Sequence, residues 1–299
     1  MAGGGSQQWA TRAERGALPL IKLMVWIALR LGRPIARASL YPICIYFLAF
    51  SGGSRRASRQ YLARALGRTP GLSDVFRHYL SFAACVLDRV FFLNDQLHLF
   101  DLHVHGEDIV LEMLRRRRGC ILLGAHFGSF EAVRALGRKQ PDVRISLVMY
   151  EENARKIRTV MDAINPRLAI NVIALGASDS MIAVGQRLDQ GDFVGMLADR
   201  SLAAEGEVRC PFLGTPAAFP DGPFRLAALL NRPVVLMFGV YGGGNRYDIF
   251  FETLADPQAP SSCGSAEQTE ALLRLYAARL EHYCRKAPFN WFNFYDFWA

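Results

Sequence analysis

At 299 residues the chain is long enough to bury a large core without disulfides or a structural metal. With 51% apolar and 21% charged residues it is not a disordered polymer, and six cysteines at least 21 residues apart exclude CxxC redox or zinc pairs. A net charge of +8 beside 20 phenylalanines and four tryptophans leaves nucleic acid, anionic lipid or an acidic carrier as partners, and the aromatic content favours a membrane surface.

Met1–Ser6 reads as a small flexible lead without the pattern of a signal peptide. Two apolar stretches follow, Leu18–Leu31 and Ile35–Phe50, interrupted by Lys22, Arg30, Arg37 and Pro42. Neither reaches the uninterrupted length of a spanning helix, so interfacial or re-entrant helices are expected, with two buried helices of a soluble fold as the alternative. Residues 1–50 are therefore set apart as N-terminal membrane-associated helices, ahead of one domain over 51–299.

The SGGS segment after Phe50 signals a turn. A helix bearing Arg55, Arg56, Arg59, Arg64 and Arg68 then runs to about Gly67, its basic face suited to anionic lipid. Ser73–Leu93 repeats apolar residues every three or four positions and reads as a further helix. Beyond Asp101 the pattern changes. Leu102–His105, Gly119–Gly124, Arg144–Tyr150, Ile170–Leu175, Phe193–Leu197 and Pro233–Tyr241 are short strand candidates. Helix-like segments separate them: Glu107–Arg117, Ser129–Leu136, Glu151–Ile164, Ser178–Gln190 and Phe219–Leu230. This alternation predicts an α/β fold with a mostly parallel central sheet flanked by helices. Gly242–Gly244 joins the last strand to Arg246–Glu252 as a hairpin expected to close one sheet edge. A polar loop, Pro257–Gly264, leads to a terminal helix, Ser265–Cys284. The aromatic end Pro288–Ala299 either packs on the domain or inserts at an interface, and packing near the substrate groove is favoured because so many exposed rings would form an apolar patch.

Chemistry concentrates in Cys120–Glu131, CILLGAHFGSFE. An apolar strand ends, His126 follows, Gly128 permits a close backbone approach to substrate, and Ser129 is placed to cap the next helix. Glu131, in the first helical turn, is expected to approach His126 across the Gly128 turn and orient it as a general base. A His packed under a loop with a solvated Glu131 is the alternative. Cys120 is a poor nucleophile because it sits inside the strand, and no G-x-S-x-G elbow surrounds Ser129.

His126 and Glu131 in this setting resemble the H-x4-[DE] motif of the glycerolipid and lipid A acyltransferase superfamily. The Glu form looks most like the late acyltransferases of bacterial lipid A biosynthesis. A second block, GMLADRS at Gly195–Ser201, supplies Asp199 and Arg200 at another strand end, and Pro211–Gly214 (PFLG) matches a later family element. The resemblance implies His126 as base and Glu131 as its orienting acid. Asp199, Arg200, Phe212 and Gly214 join Gly128 and Ser129 as substrate-binding candidates. A structural ion pair between Asp199 and Arg200, and an ordinary tight loop at Phe212 and Gly214, explain these residues nearly as well. The family draws acyl groups from acyl carrier protein or coenzyme A, needs no metal or other cofactor, and works at the cytoplasmic face of the bacterial inner membrane. The expected reaction is acyl transfer from such a thioester to a hydroxyl of a lipid or glycolipid. Alternatives are another acceptor, namely a polyene pigment head group, an amino-acid lipid or a glycerol phosphate, or an inactive lipid-binding scaffold. The run Arg115–Arg118 reads as a solvated helix end or an acyl carrier protein dock, with no accompanying nucleic-acid motif.

Overall fold

The computed structural model describes residues 17–138, 143–165, 171–175, 179–200, 206–257 and 265–299. Met1–Ser6, Ser201 and most of the expected loop Pro257–Gly264, with Cys263, lie outside them. The chain opens with helices α1 (Ala17–Phe50), α2 (Gly52–Leu66) and α3 (Leu72–Leu93). Then come β1 (Asp101–His105), α4 (Glu107–Arg115), β2 (Cys120–Gly124), α5 (Phe130–Arg138), β3 (Ile145–Tyr150) and α6 (Glu151–Ile164). Next are β4 (Val172–Leu175), α7 (Ser180–Asp189), β5 (Phe193–Leu197), β6 (Glu207–Phe212) and β7 (Thr215–Pro220). The last four are α8 (Gly222–Leu230), β8 (Val234–Gly243), β9 (Arg246–Ala255) and α9 (Ser265–Lys286).

Seven strands form one sheet in the order β1-β9-β8-β2-β5-β3-β4, with every pairing parallel except β8–β9. The central strands, such as β2 (CILLG), read as continuous apolar runs because both faces are covered. Ile121 and Leu123 of β2 enter the core shared with α8, α9 and the C-terminal aromatics, whereas Cys120 and Leu122 enter the one shared with α1, α3 and α5. The expected fold class is thus the observed one. The β8–β9 hairpin forms as read, but it does not close the sheet. β1 adds parallel to β9 and takes the edge. Tyr247 and Ile249 of β9 are fully buried and need cover on both sides, whereas the short, polar, half-exposed β1 (DLHVH) suits an edge.

A second departure is the two-stranded ribbon β6–β7, where a loop and the start of a helix were expected. Leu213 (φ 50°) and Gly214 (φ 85°) are both left-handed, as a two-residue hairpin turn demands. Pro211 pairs across from Pro216, which an isolated ribbon tolerates because each strand has a free edge. Phe219 and Pro220 therefore belong to β7, and α8 starts only at Gly222.

The N-terminal helices lie against the domain. α1 breaks at Gly32 (φ 83°, ψ 168°), so it consists of two helices matching the two apolar stretches. Val25, Ala28, Ala36 and Leu40 pack inward, while Leu20, Trp26, Ile35, Tyr46, Phe47 and Phe50 are more than half or nearly half exposed. Arg33 forks onto the buried Asp88 of α3 (2.7 and 2.8 Å), and Tyr247 donates to the same carboxylate at 2.8 Å. Among the described residues no single helix is long and apolar enough to cross a membrane. The pair Pro19–Phe50 and Gly52–Leu66, bent by 96°, reaches that threshold only when taken together.

Candidate active site

β2 and β5 are parallel neighbours in a register that pairs Gly124 with Leu197. Two residues beyond each of these paired ends stand His126 and Asp199, so the register delivers an imidazole and a carboxylate side by side at the C-terminal rim of the sheet, where α/β folds place their sites. His126 Nδ1 lies 2.8 Å from Asp199 Oδ1, and the His126 backbone N–H donates to both carboxylate oxygens at 3.1 Å. Trp291 Nε1 donates to Oδ2 at 2.9 Å, and Asn293 Nδ2 approaches the same oxygen at 3.4 Å. Asp199 is fully buried, whereas about a third (32%) of the His126 side chain is exposed.

Electrostatics set the protonation states. Burial on its own would raise the Asp199 pKa, but His126, Arg200 and the Trp291 donor outweigh it and hold the carboxyl down to about 2. Burial lowers the His126 pKa below its ordinary 6.5 and the nearby Arg200 acts in the same direction, with Asp199 opposing both. At neutral pH the pair is therefore a carboxylate and a neutral imidazole. An ionised carboxylate only accepts, so Nδ1 carries the proton and Nε2 presents a free lone pair, the configuration of a general base.

Glu131 lies elsewhere. Its buried carboxylate sits 3.2 Å from Arg134 Nε one turn along α5, and no hydrogen bond joins it to His126 among the described residues. The expectation that Glu131 supplies the carboxylate at the His126 ring is corrected: in the first turn of α5 it faces the i+3 guanidinium, and the neighbouring strand supplies Asp199. Gly128 (φ 60°) does permit a close approach, but to backbone: an added Cβ would lie 2.0 Å from the Gly239 carbonyl oxygen, so that space holds β8 rather than substrate. Ser129 caps α5, its Oγ accepting from Ala132 N at 3.2 Å, and is buried in that role. Arg200 does not pair with Asp199. Its Nε donates to Asn293 Oδ1 (2.7 Å) and its Nη2 to Phe292 O (2.8 Å). Phe212 is fully buried and reaches the site through Trp291, with the ring centroids 5.2 Å apart, while Gly214 occupies the β6–β7 turn with open space around it. Cys120 is fully buried, its thiol pushed well up by desolvation, and does not serve as a nucleophile.

The residues that the sequence reading missed come from the C-terminal segment. It packs on the domain and closes the site from one side. Phe292 N donates to His126 O (2.8 Å), Gly128 N donates to Asn290 O (2.8 Å), and Phe127 pairs with Trp291 as an antiparallel bridge. The Asn290 amide brackets the Tyr241 backbone at 2.7 and 3.1 Å. Trp291 is fully buried against Tyr61, Phe212 and Phe297. Behind it, His78 Nε2 donates to Trp291 O (2.8 Å) and Ser58 Oγ donates to His78 Nδ1 (2.8 Å). The aromatic density of the tail signalled packing, but nothing local to it pointed to Asp199.

The family model for bacterial lipid A biosynthesis acyltransferases matches residues 6–299. The chain belongs to that family. The match takes in both strand ends that carry His126 and Asp199 and the C-terminal segment that encloses them. None of the curated proteins compared with this family member matches it significantly. Family membership implies acyltransferase activity on a lipid or glycolipid acceptor.

Proposed function

We propose that the protein transfers a fatty acyl group from an acyl thioester, carried by acyl carrier protein or coenzyme A, to a hydroxyl of a lipid or glycolipid, with His126 as general base. The 2.8 Å bond between His126 Nδ1 and Asp199 carries this reading, since it leaves Nε2 unprotonated on a ring that is about a third exposed (32%). Nε2 takes the proton of the acceptor hydroxyl as its oxygen attacks the thioester carbonyl. The tetrahedral intermediate then collapses with cleavage of the C–S bond, and the imidazolium returns the proton to the departing thiolate. A positioned base of this kind contributes roughly 10²–10⁴-fold in rate. Glu131 acts at one remove, its pairing with Arg134 anchoring the first turn of α5 behind the loop that bears His126.

The work is proposed to take place at the cytoplasmic face of a bacterial inner membrane. The exposed apolar side of α1 and the exposed Arg56 and Arg59 of α2 support this, each such cation adding about 1 kcal/mol at an anionic surface. The test offers acyl carrier protein and coenzyme A, each bearing labelled acyl chains of several lengths, to the purified protein with bacterial membrane extract, and identifies the labelled product by mass spectrometry. His126→Ala is expected to abolish transfer while leaving the fold and membrane binding intact. Transfer that persists in this variant sinks the assignment of the base.

A further inference from the structure

We infer that Arg89 is a substrate-binding residue that receives an anionic group, a phosphate or a carboxylate, at the end of an apolar stripe that leads to the His126 loop. The other arginines buried near the site have fixed partners. Arg33 and Arg37 share Asp88, Arg134 meets Glu131, and Arg200 is held by Asn293 and Phe292. Arg89, on α3, differs. It is only partly exposed and its Nε is buried without a hydrogen-bond partner. It forms no ion pair among the described residues, although it lies near enough to the imidazole to disfavour its protonation. The local carboxylates do not neutralise it, because Asp88 is taken by Arg33 and Tyr247, Glu131 by Arg134, and Asp199 by His126 and Trp291. Leaving a buried guanidinium donor unsatisfied is costly, and an anionic ligand would remove that cost.

The approach to Arg89 indicates what kind of anion fits. Phe82, Val86 and Arg89 recur at i, i+4 and i+7 and so share one face of α3. Phe82 and Val86 are 41% and 44% exposed. The Phe82 ring touches those of Phe292 and Phe294 at 5.3 Å, and Phe292 N donates to His126 O. An exposed apolar stripe on α3, joined to the His126 loop through Phe82 and Phe292, thus ends on an unpaired cation, which matches an amphiphile carrying a charged oxyanion. This deepens the acyl-transfer reading and rests on it for the identity of the reaction.

The experiment reads His126 directly and needs no turnover. Purified full-length protein in nonionic detergent is treated with diethyl pyrocarbonate at constant ionic strength, and modification of each histidine is followed by mass spectrometry. The exposed His98 and His282 serve as internal controls. Inorganic phosphate should slow modification of His126 about fivefold at a concentration about four times its dissociation constant, with His98 and His282 unchanged. Protection should vanish in Arg89→Met and survive in part in Arg89→Lys. Two matched pairs separate the sources: 4′-phosphopantetheine against pantetheine for the donor, and phosphatidic acid against diacylglycerol for a lipid. Protection by only the phosphorylated member of a pair supports the inference and names the source. No protection in the wild-type protein, equal protection in Arg89→Met, or protection indifferent to phosphate overturns it. If Arg89→Met does not fold, Arg89→Lys decides instead: weakened protection supports the inference and undiminished protection overturns it. Because the acyl-transfer reading stands or falls on His126→Ala turnover, the two can fail separately.

Discussion

Asp199→Asn keeps the size of the side chain but replaces one acceptor with a donor where only acceptors fit. Oδ1 faces His126 Nδ1 and Oδ2 faces Trp291 Nε1, each a donor in the wild-type protein. If the amide oxygen stays with Trp291, the new NH2 group points at His126 Nδ1, and the imidazole must move its proton to Nε2 to accept it. Nε2 is then no longer a base, and kcat should fall by roughly 10²–10⁴-fold. If the oxygen stays with His126, two buried donors oppose each other at Trp291, at a cost of about 1–3 kcal/mol. The first arrangement also keeps the Trp291 bond and should dominate, so activity falls more than stability does. The assay pairs release of free coenzyme A from acyl-coenzyme A in the presence of acceptor with ¹⁵N NMR of the His126 tautomer. Glu131→Gln is the comparison. It weakens the buried contact with Arg134 and should lower the Tm, but reduce kcat less than Asp199→Asn, because the His126–Asp199 bond is untouched. If Asp199→Asn retained more than about a tenth of the rate with Nε2 still unprotonated, the assignment of Asp199 would be refuted.

Trp291→Phe removes the 2.9 Å donor to Asp199 Oδ2 and so concentrates negative charge toward His126, which should raise the imidazole pKa and move the acid limb of the rate profile to higher pH; a profile that does not move refutes the link. In the wild-type protein that limb should lie below pH 6.5, since burial and Arg200 lower the His126 pKa. His78 is lowered from 6.5 to about 4 by burial, partly opposed by its bond to Trp291, so the unfolded chain takes up a proton that the folded one refuses. Its contribution is intact above pH 6.5 and is lost as the pH falls toward 4, by roughly 3 kcal/mol in all, and His78→Gln should flatten this part of a Tm-against-pH curve. Gly239→Ala places a Cβ 2.2 Å from the Ser129 carbonyl oxygen, and because the clash is with backbone it should cost about 3 kcal/mol and displace the His126 loop. A variant with wild-type Tm and activity would show that the loop does not depend on this contact.

What sequence alone determined here is what burial imprints locally. Runs such as Cys120–Gly124 and Phe193–Leu197 are apolar throughout because helices cover both faces of a parallel strand, and a residue's environment there depends on its own segment. For the same reason His126 stood out at a strand end, and the motif around it marked the candidate site. The tertiary structure alone decided which carboxylate meets its ring. Glu131 is five residues from His126 and Asp199 is 73 away, yet helix geometry turns Glu131 toward Arg134 while the β2–β5 register puts Asp199 at 2.8 Å. Neither which strands become neighbours nor which aromatic of the C-terminal segment completes the site is written in any local period. Both follow from how the whole chain covers its two cores, a constraint that acts between segments far apart in sequence.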